Sequence, residues 1–163
     1  MFVYHAFSFS FLGYLIPLLL ILVPFFFRQR INVGFNIKDI LIGVAVSAVV
    51  LLPFWLLASQ AGRVFRLLSP RALSFQLLGV SFPEEIYFRG FLQESMGNNI
   101  KGVVMVSILF SVMHLPQYIF YGDIYSVLTF FPSLIMGYLY YRTSNIVPST
   151  IFHFSSNVVF LGL

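Results

Sequence analysis

Residues 40–59 read ILIGVAVSAVVLLPFWLLAS and include no charged side chain. An α-helix rises about 1.5 Å per residue, so about 20 apolar residues are needed to cross the hydrocarbon core of a bilayer. Since that core holds no water to satisfy backbone N–H and C=O groups, such a run crosses it as a helix. The stretch therefore predicts a transmembrane helix.

Five further runs of similar length and largely apolar composition lie on either side of this stretch, and the one that contains charges is Ala72–Ser95. Moving outward along the chain, they are Ser8–Phe27, Ala72–Ser95, Gly102–Tyr121, Ile124–Tyr141 and Ile146–Leu163. No Lys or Arg precedes the first run, so we expect a retained span rather than a cleaved secretory signal. Short connections rich in turn residues separate the last four runs, which makes consecutive helices antiparallel neighbours. The sequence predicts an all-α fold, a polytopic membrane helix bundle of about six transmembrane helices.

The composition leads to the same class of protein. Hydrophobic residues make up 60% of the chain and charged residues 9%, with a mean hydropathy of +0.95. Soluble domains carry about 25% charged residues, so this chain has too few charges to cover a water-exposed surface. The net charge of +4 is scattered between apolar runs, which fits lipid headgroups as partners and excludes a nucleic-acid patch. The absence of cysteine excludes disulfides, thiolate metal sites and a cysteine nucleophile.

No polar or Gly/Ser-rich stretch is long enough to act as a linker between domains. We therefore predict a single integral membrane domain over residues 1–163. Residues 72–163 carry the polar motifs and form the core of that domain.

Ionisable side chains at membrane depth cost several kcal/mol and are usually paired or functional, so the few present here are informative. Away from the ends of the predicted spans they are Glu84, Glu85, Arg89, His114 and His153, and Asn157 follows as a buried amide. The remaining histidine, His5, lies near the N-terminus, where we expect an interfacial position.

Helical spacing separates the two glutamates. Glu85 and Arg89 are four residues apart with the acid first, the favourable order for an ion pair, so we interpret them as a structural pair. Glu84 points about 100° away and has no local partner. It is either a protonated carboxyl hydrogen-bonded to another helix or a general base. Pro83 removes the N–H that would bond the carbonyl of Gly79, which bends the helix or opens it to water beside the acids.

The other polar groups lie on two further helices. His114 precedes Pro116, at the point where the fourth helix is about to be distorted. His153 and Asn157 are four residues apart and share one face of the sixth helix. Asn is also a common packing device between membrane helices, but three helices that each bring such groups predict a polar site inside the bundle.

Three segments resemble known motifs in order and spacing. Residues 84–89 (EEIYFR), 110–114 (FSVMH) and 153–157 (HFSSN) are similar to the EExxxR, FxxxH and HxxxN motifs of the CAAX-protease and bacteriocin-processing family of intramembrane proteases. The similarity extends from about Phe82 to Asn157. It implies hydrolysis of a peptide bond of a membrane-associated peptide or protein.

The resemblance also implies roles for individual residues. Glu84 would activate water, His114 would assist it, and His153 with Asn157 would stabilise the oxyanion. Glu85 and Arg89 would give structural support. The choice of Glu84 over Glu85 agrees with the helical-face argument, which did not use the family.

The cofactor and the biological role are further expectations. The family has been classed both among metalloproteases and among glutamate proteases, and Glu84, His114 and His153 would be the zinc ligands in the first case. No HExxH motif is present. We expect the metal-free mechanism, in a protein of a prokaryotic plasma membrane that acts in peptide maturation, bacteriocin immunity or processing of sorting tails rather than in cleavage of prenylated CAAX proteins.

Two rival functions stay open from the residues alone. In an ion or proton-coupled transporter, Glu84, His114 and His153 would form a relay along a continuous polar path. In a non-catalytic immunity or scaffold protein, the same groups would only bind a membrane segment of a partner. A protease instead needs a polar cavity that opens at one face.

Overall fold

The computed structural model describes residues 11–163, so His5 and the first residues of the predicted span Ser8–Phe27 lie outside the described part. The described residues form helices joined by short connections. In chain order these are α1 (Phe11–Phe26), α2 (Ile37–Gln60), α3 (residues 70–93), α4 (Ile100–Met113), α5 (Leu115–Tyr121), α6 (Phe130–Thr143, preceded by a 3₁₀ segment over Ile124–Thr129) and α7 (Ile146–Gly162).

Helix lengths agree with a membrane bundle. Three continuous helical stretches are long and apolar enough to span a bilayer, namely Ile37–Gln60, Ile100–Tyr121 and Ile124–Thr143, and two shorter apolar helices cover Tyr14–Phe26 and Ile146–Gly162. The predicted all-α membrane helix bundle is therefore confirmed. The second span begins earlier than Ile40 because the side chain of Asn36 caps the helix and accepts the N–H of Asp39 at 2.9 Å.

Helix α3 changes its winding twice around the acid pair. It begins with Pro70–Phe75 in α geometry, widens to a π-helix over Gln76–Ser81, returns to α over Phe82–Glu85, and widens again over Ile86–Gln93. Because Pro83 lacks an N–H, regular i to i−4 bonding cannot continue through it, and wider turns are one way to pass such a point. The distortion expected at Pro83 thus takes the form of two π segments that flank the glutamates, and π segments are frequent at functional sites.

Helix α7 is held closely against α2. A Cβ added to Gly43 would lie 3.0 Å from the Cα of Pro148 and 3.1 Å from the Cβ of Ile151, so the two backbones approach as only glycine allows. Ser47, one turn further along α2, is also buried. Small residues four apart let membrane helices approach in this way.

The start of α7 is fixed by one side chain. Asn145 donates to the carbonyl of Gly34 at 2.6 Å and to Asp39 Oδ2 at 2.8 Å, and accepts the N–H of Gly34 at 3.0 Å. These bonds join the loop before α2 and the first turn of α2 to the N-cap of α7. The helix that carries His153 and Asn157 therefore has a defined position at its end and along its length.

The apolar core lies between α3, α4, α6 and α7. Its buried members are Phe88, Val106, Phe110, Met136, Leu139 and Phe152. The fourth span bends at the expected place, because α4 ends at Met113, His114 forms the junction, and α5 begins at Leu115 with Pro116 in its first turn. The polar residues of α3, α4 and α7 are thus arranged around a common core.

Candidate active site in the bundle

Glu85 lies in a fully buried ion pair. Its Oε2 is 3.4 Å from Nε of Arg89, and both side chains are completely buried. The guanidinium of Arg89 also donates from Nη2 to the carbonyl oxygen of Ser133 at 3.2 Å and to its Oγ at 2.9 Å. The pair that the four-residue spacing predicts is therefore present, and it ties α3 to α6.

His153 connects the two glutamates. Its Nδ1 lies 3.0 Å from Glu85 Oε1, and its Nε2 lies 3.8 Å from Glu84 Oε2. An ionised carboxylate can only accept, so His153 carries a hydrogen on Nδ1 and donates it to Glu85. The hydrogen bond fixes the ring and turns Nε2 toward Glu84. Spacing along the sequence did not predict the Glu85–His153 contact, because its partners lie on different helices.

Glu84 is less fully partnered than its neighbour. Its side chain is 13% exposed, and Oε2 is buried without a hydrogen-bond partner among the described residues. The 3.8 Å to His153 is longer than a hydrogen bond. A buried carboxylate oxygen without a hydrogen bond is costly. Oε2 of Glu85 also lacks a hydrogen bond, but it lies in the ion pair with Arg89.

Phe110 occupies the centre of the site. Its ring centroid is 4.6 Å from that of His114 and 5.8 Å from that of His153. The guanidinium carbon of Arg89 lies 5.1 Å from the same ring, within the range of a cation–π contact. In the sequence, Phe110 is the first residue of the FxxxH motif and has no predicted role. In the structure, its ring contacts His114, His153 and Arg89.

His114 faces Phe110 rather than Glu84. Its Nδ1 is 2.8 Å from the carbonyl oxygen of Phe110, so Nδ1 carries the hydrogen and Nε2 is left with a lone pair. The described residues contain no hydrogen bond or ion pair between His114 and Glu84. His114 is therefore linked to the rest of the site through the ring of Phe110, which His153 also contacts.

Asn157 is oriented by a residue that the sequence analysis missed. Its Nδ2 donates to Oε1 of Gln76 at 3.1 Å, and Gln76 is buried at the beginning of the first π segment of α3. The sequence could have indicated Gln76, because a glutamine within a predicted membrane span needs a polar partner. The bond leaves the second Nδ2 hydrogen of Asn157 for another acceptor.

The site therefore has a connected part and two flanking parts. Glu84, Glu85, Arg89 and His153 form one set of polar contacts. His114 lies against the ring of Phe110, which His153 also contacts, and Asn157 bonds to Gln76 of α3. Within residues 11–163, no group of three or more His, Asp or Glu side chains is arranged to hold a metal ion. In this arrangement the alternative zinc ligands Glu84, His114 and His153 do not form a three-ligand site.

Polar groups enclosed by a membrane helix bundle are usually paired or functional, so fold and site together define an integral membrane protein with a candidate functional site in its interior. The particular family follows from comparison with family models. The model of the type II CAAX prenyl endopeptidase Rce1-like family matches residues 9–159, and the chain belongs to that family. No curated protein and no solved structure gives a significant match.

Membership of this family confirms the resemblance drawn from the three motifs, all of which lie within the matched residues. It implies a protease that acts on a membrane-associated substrate. It therefore favours the enzyme over the transporter and the non-catalytic scaffold.

Proposed function

We propose that the chain is an intramembrane endopeptidase of the glutamate type, in which Glu84 activates a water molecule. The observation that carries this proposal is the difference in partners between the two glutamates. Glu85 forms an ion pair with Arg89 through Oε2 and accepts from His153 through Oε1, whereas Glu84 has no hydrogen bond to the described residues and faces Nε2 of His153 at 3.8 Å. Family membership supports the peptide bond as substrate, and the partner geometry supports Glu84 as the base.

The proposed reaction begins with one water molecule within reach of Glu84 and His153. Ionised Glu84 takes a proton from the water as the oxygen attacks the peptide carbonyl carbon, which gives a tetrahedral intermediate. The C–N bond then breaks, and Glu84 returns the proton to the leaving nitrogen. The products are one new carboxyl end and one new amine, with no net change at the enzyme.

His153 and Asn157 are proposed as donors to the developing oxyanion. Because the Nδ1 hydrogen of His153 is used by Glu85, this role requires a second hydrogen on Nε2. Donors that are already oriented act strongly in a site that excludes water, because no reorganisation is required when charge develops. Glu85 fixes the ring of His153, and Gln76 fixes the amide of Asn157. Both donors are therefore held before substrate arrives.

His114 is proposed to orient the water with Nε2, since its Nδ1 hydrogen is used by the carbonyl of Phe110. Catalytic contacts in resting sites are often long and shorten when substrate binds, which is consistent with the separation from Glu84. Each polar group has a task in this scheme without an ion, so the proposal includes no cofactor.

The direct test is cleavage in isotopic water. Purified protein is incubated with a panel of membrane-associated peptides in H₂¹⁸O, and fragments are analysed by mass spectrometry. We expect internal cleavage with one heavy oxygen in the new carboxyl end, and no such product with Glu84→Gln. Products at the same rate with both proteins, or fragments without heavy oxygen, would contradict the proposal.

A further inference from the structure

A lateral cleft lies between α2 and α6, remote in sequence from the motif residues. Its volume is about 720 Å³. Both helices pack on α7 and scarcely contact each other, so the cleft is open between them. Its wall is apolar and consists of Ile42, Val46, Leu134, Ile135 and Leu139.

The rim of the cleft carries an excess of positive charge. Lys38 and Arg142 stand there with Asp39, so two cations face one carboxylate. The carboxylate of Asp39 is already engaged, because Oδ2 accepts from the amides of Asn36 at 2.7 Å and Asn145 at 2.8 Å.

The two cations have few partners of their own. Arg142 contacts the hydroxyl of Tyr138 at 3.4 Å and lies 6.0 Å from the centroid of its ring. Lys38 is exposed and has no hydrogen bond or ion pair with any residue of the described part. Both are therefore available to an anion.

The positions of the cationic and apolar groups along the membrane normal fit the binding of a lipid. Lys38 lies in the first turn of α2 and Arg142 in the last turn of α6, where membrane helices meet the headgroup layer. Val46 and Leu134 lie eight residues inward on their helices, about 12 Å deeper at 1.5 Å per residue. The cleft thus changes from cationic to apolar along the direction in which a lipid changes from headgroup to acyl chain.

We propose that this cleft binds an anionic phospholipid of the surrounding bilayer. Lys38 and Arg142 hold the phosphate, and one acyl chain lies along Val46 and Leu134. Basic pockets between membrane helices recognise anionic headgroups in this way, and the volume is that of a ligand site. A zwitterionic lipid would not use the uncompensated cations, and a free phosphate would not use the apolar wall.

The first test compares lipids and charges. The purified protein is titrated with phosphatidylglycerol and with phosphatidylcholine of identical chains, and bound lipid is measured by native mass spectrometry. We expect one preferentially retained phosphatidylglycerol. Lys38→Gln/Arg142→Gln should weaken its binding roughly tenfold to thirtyfold, since each basic residue at the membrane surface contributes on the order of a fivefold change.

The control is Arg30→Gln/Lys101→Gln, which removes two exposed cations near the same end of the bundle but outside the cleft. It should leave phosphatidylglycerol binding within about twofold of wild type. Equal retention of the two lipids by wild type, or an equal loss in both double variants, would overturn the proposal.

The second test addresses the apolar wall and needs no variant for its main result. Phosphatidylglycerol with a photoreactive acyl chain should crosslink to wild-type α2 and α6 at the cleft, and unlabelled phosphatidylglycerol should displace it. Val46→Phe should remove these crosslinks, whereas Val44→Phe, a half-exposed position on the same helix outside the cleft, should not. Crosslinks elsewhere only, or displacement by phosphatidylcholine or a peptide as effectively as by phosphatidylglycerol, would assign the cleft to another occupant and refute the proposal.

Discussion

The two sides of α3 at the acid pair differ sharply although Glu84 and Glu85 are adjacent. On the Glu85 side, the carboxylate, Arg89 and Ser133 form a completely buried set of contacts that extends to α6. On the Glu84 side, the carboxylate is partly exposed, has no hydrogen bond to the described residues, and lies 3.8 Å from Nε2 of His153. One step of about 100° around a helix separates the two environments.

The difference indicates how a membrane helix can hold both a structural and a reactive acid. The carboxylate of Glu85 is neutralised by Arg89 and accepts from His153, which favours a structural role. The carboxylate of Glu84 has neither contact, which favours its availability for proton transfer. His153 joins the two sides, because the structural acid orients the ring that faces the reactive one.

The proposed difference between Glu84 and Glu85 is tested most severely by Glu84→Gln. Loss of a general base should lower turnover by on the order of a hundredfold to ten-thousandfold, with little change in the midpoint of thermal unfolding. Rates of peptide cleavage and thermal unfolding in detergent measure the two effects. Glu94→Gln is the matched control, an identical change at the end of the same helix where Glu94 accepts from Tyr140. Wild-type turnover in Glu84→Gln would remove the distinction between the two sides.

Glu85→Gln should act mainly on stability. It strands the buried guanidinium of Arg89, and loss of one partner of a buried pair costs about 3–5 kcal/mol. Unfolding in denaturant with the protein in detergent measures the change. The double variant Glu85→Gln/Arg89→Met removes both charges and should recover much of the loss. A double variant no more stable than Glu85→Gln would show that the pair is not the source of the effect.

Gln76→Met tests how Asn157, a proposed donor to the oxyanion, is positioned. It removes the acceptor for Asn157 while keeping the size of the side chain, so turnover should fall about threefold to tenfold, the effect of one hydrogen bond. If Gln76 acts only by positioning Asn157, the same change should have no further effect in an Asn157→Ala background. Equal losses in both backgrounds would indicate a general structural role instead.

Of these tests, treatment with a chelator should have the smallest effect on turnover. If Glu84 is a base rather than a ligand, prolonged treatment with chelator leaves turnover unchanged, and elemental analysis finds well below one zinc per chain. Turnover that disappears on chelation and returns with zinc, at about one metal per chain, would turn Glu84, His114 and His153 into ligands. The assignment of Glu84 as the reactive acid would then be wrong.

The helices themselves were largely predictable because their cause is local. Runs of about 20 apolar residues specify membrane helices, and turn residues mark their ends. The exact start of α2 depended on a cap at Asn36, which charge-based boundaries do not detect. The two π segments of α3 were also unforeseen, because Pro83 predicts a distortion without specifying how the chain accommodates it.

The parts of the site that lie within one helix could be predicted from the sequence. The Glu85–Arg89 pair, the break at His114 and the shared face of His153 and Asn157 follow from spacings of a few residues, which helical geometry fixes. Only the tertiary structure decided the contacts across helices.

The bond from His153 to Glu85 joins residues 68 positions apart, and that from Asn157 to Gln76 joins residues 81 apart. The cleft between α2 and α6 likewise exists only because both helices pack on α7. Such contacts depend on how each whole helix is rotated and tilted, and side-chain packing sets this, as at Gly43 against Pro148. Spacing within one helix carries no information about that rotation.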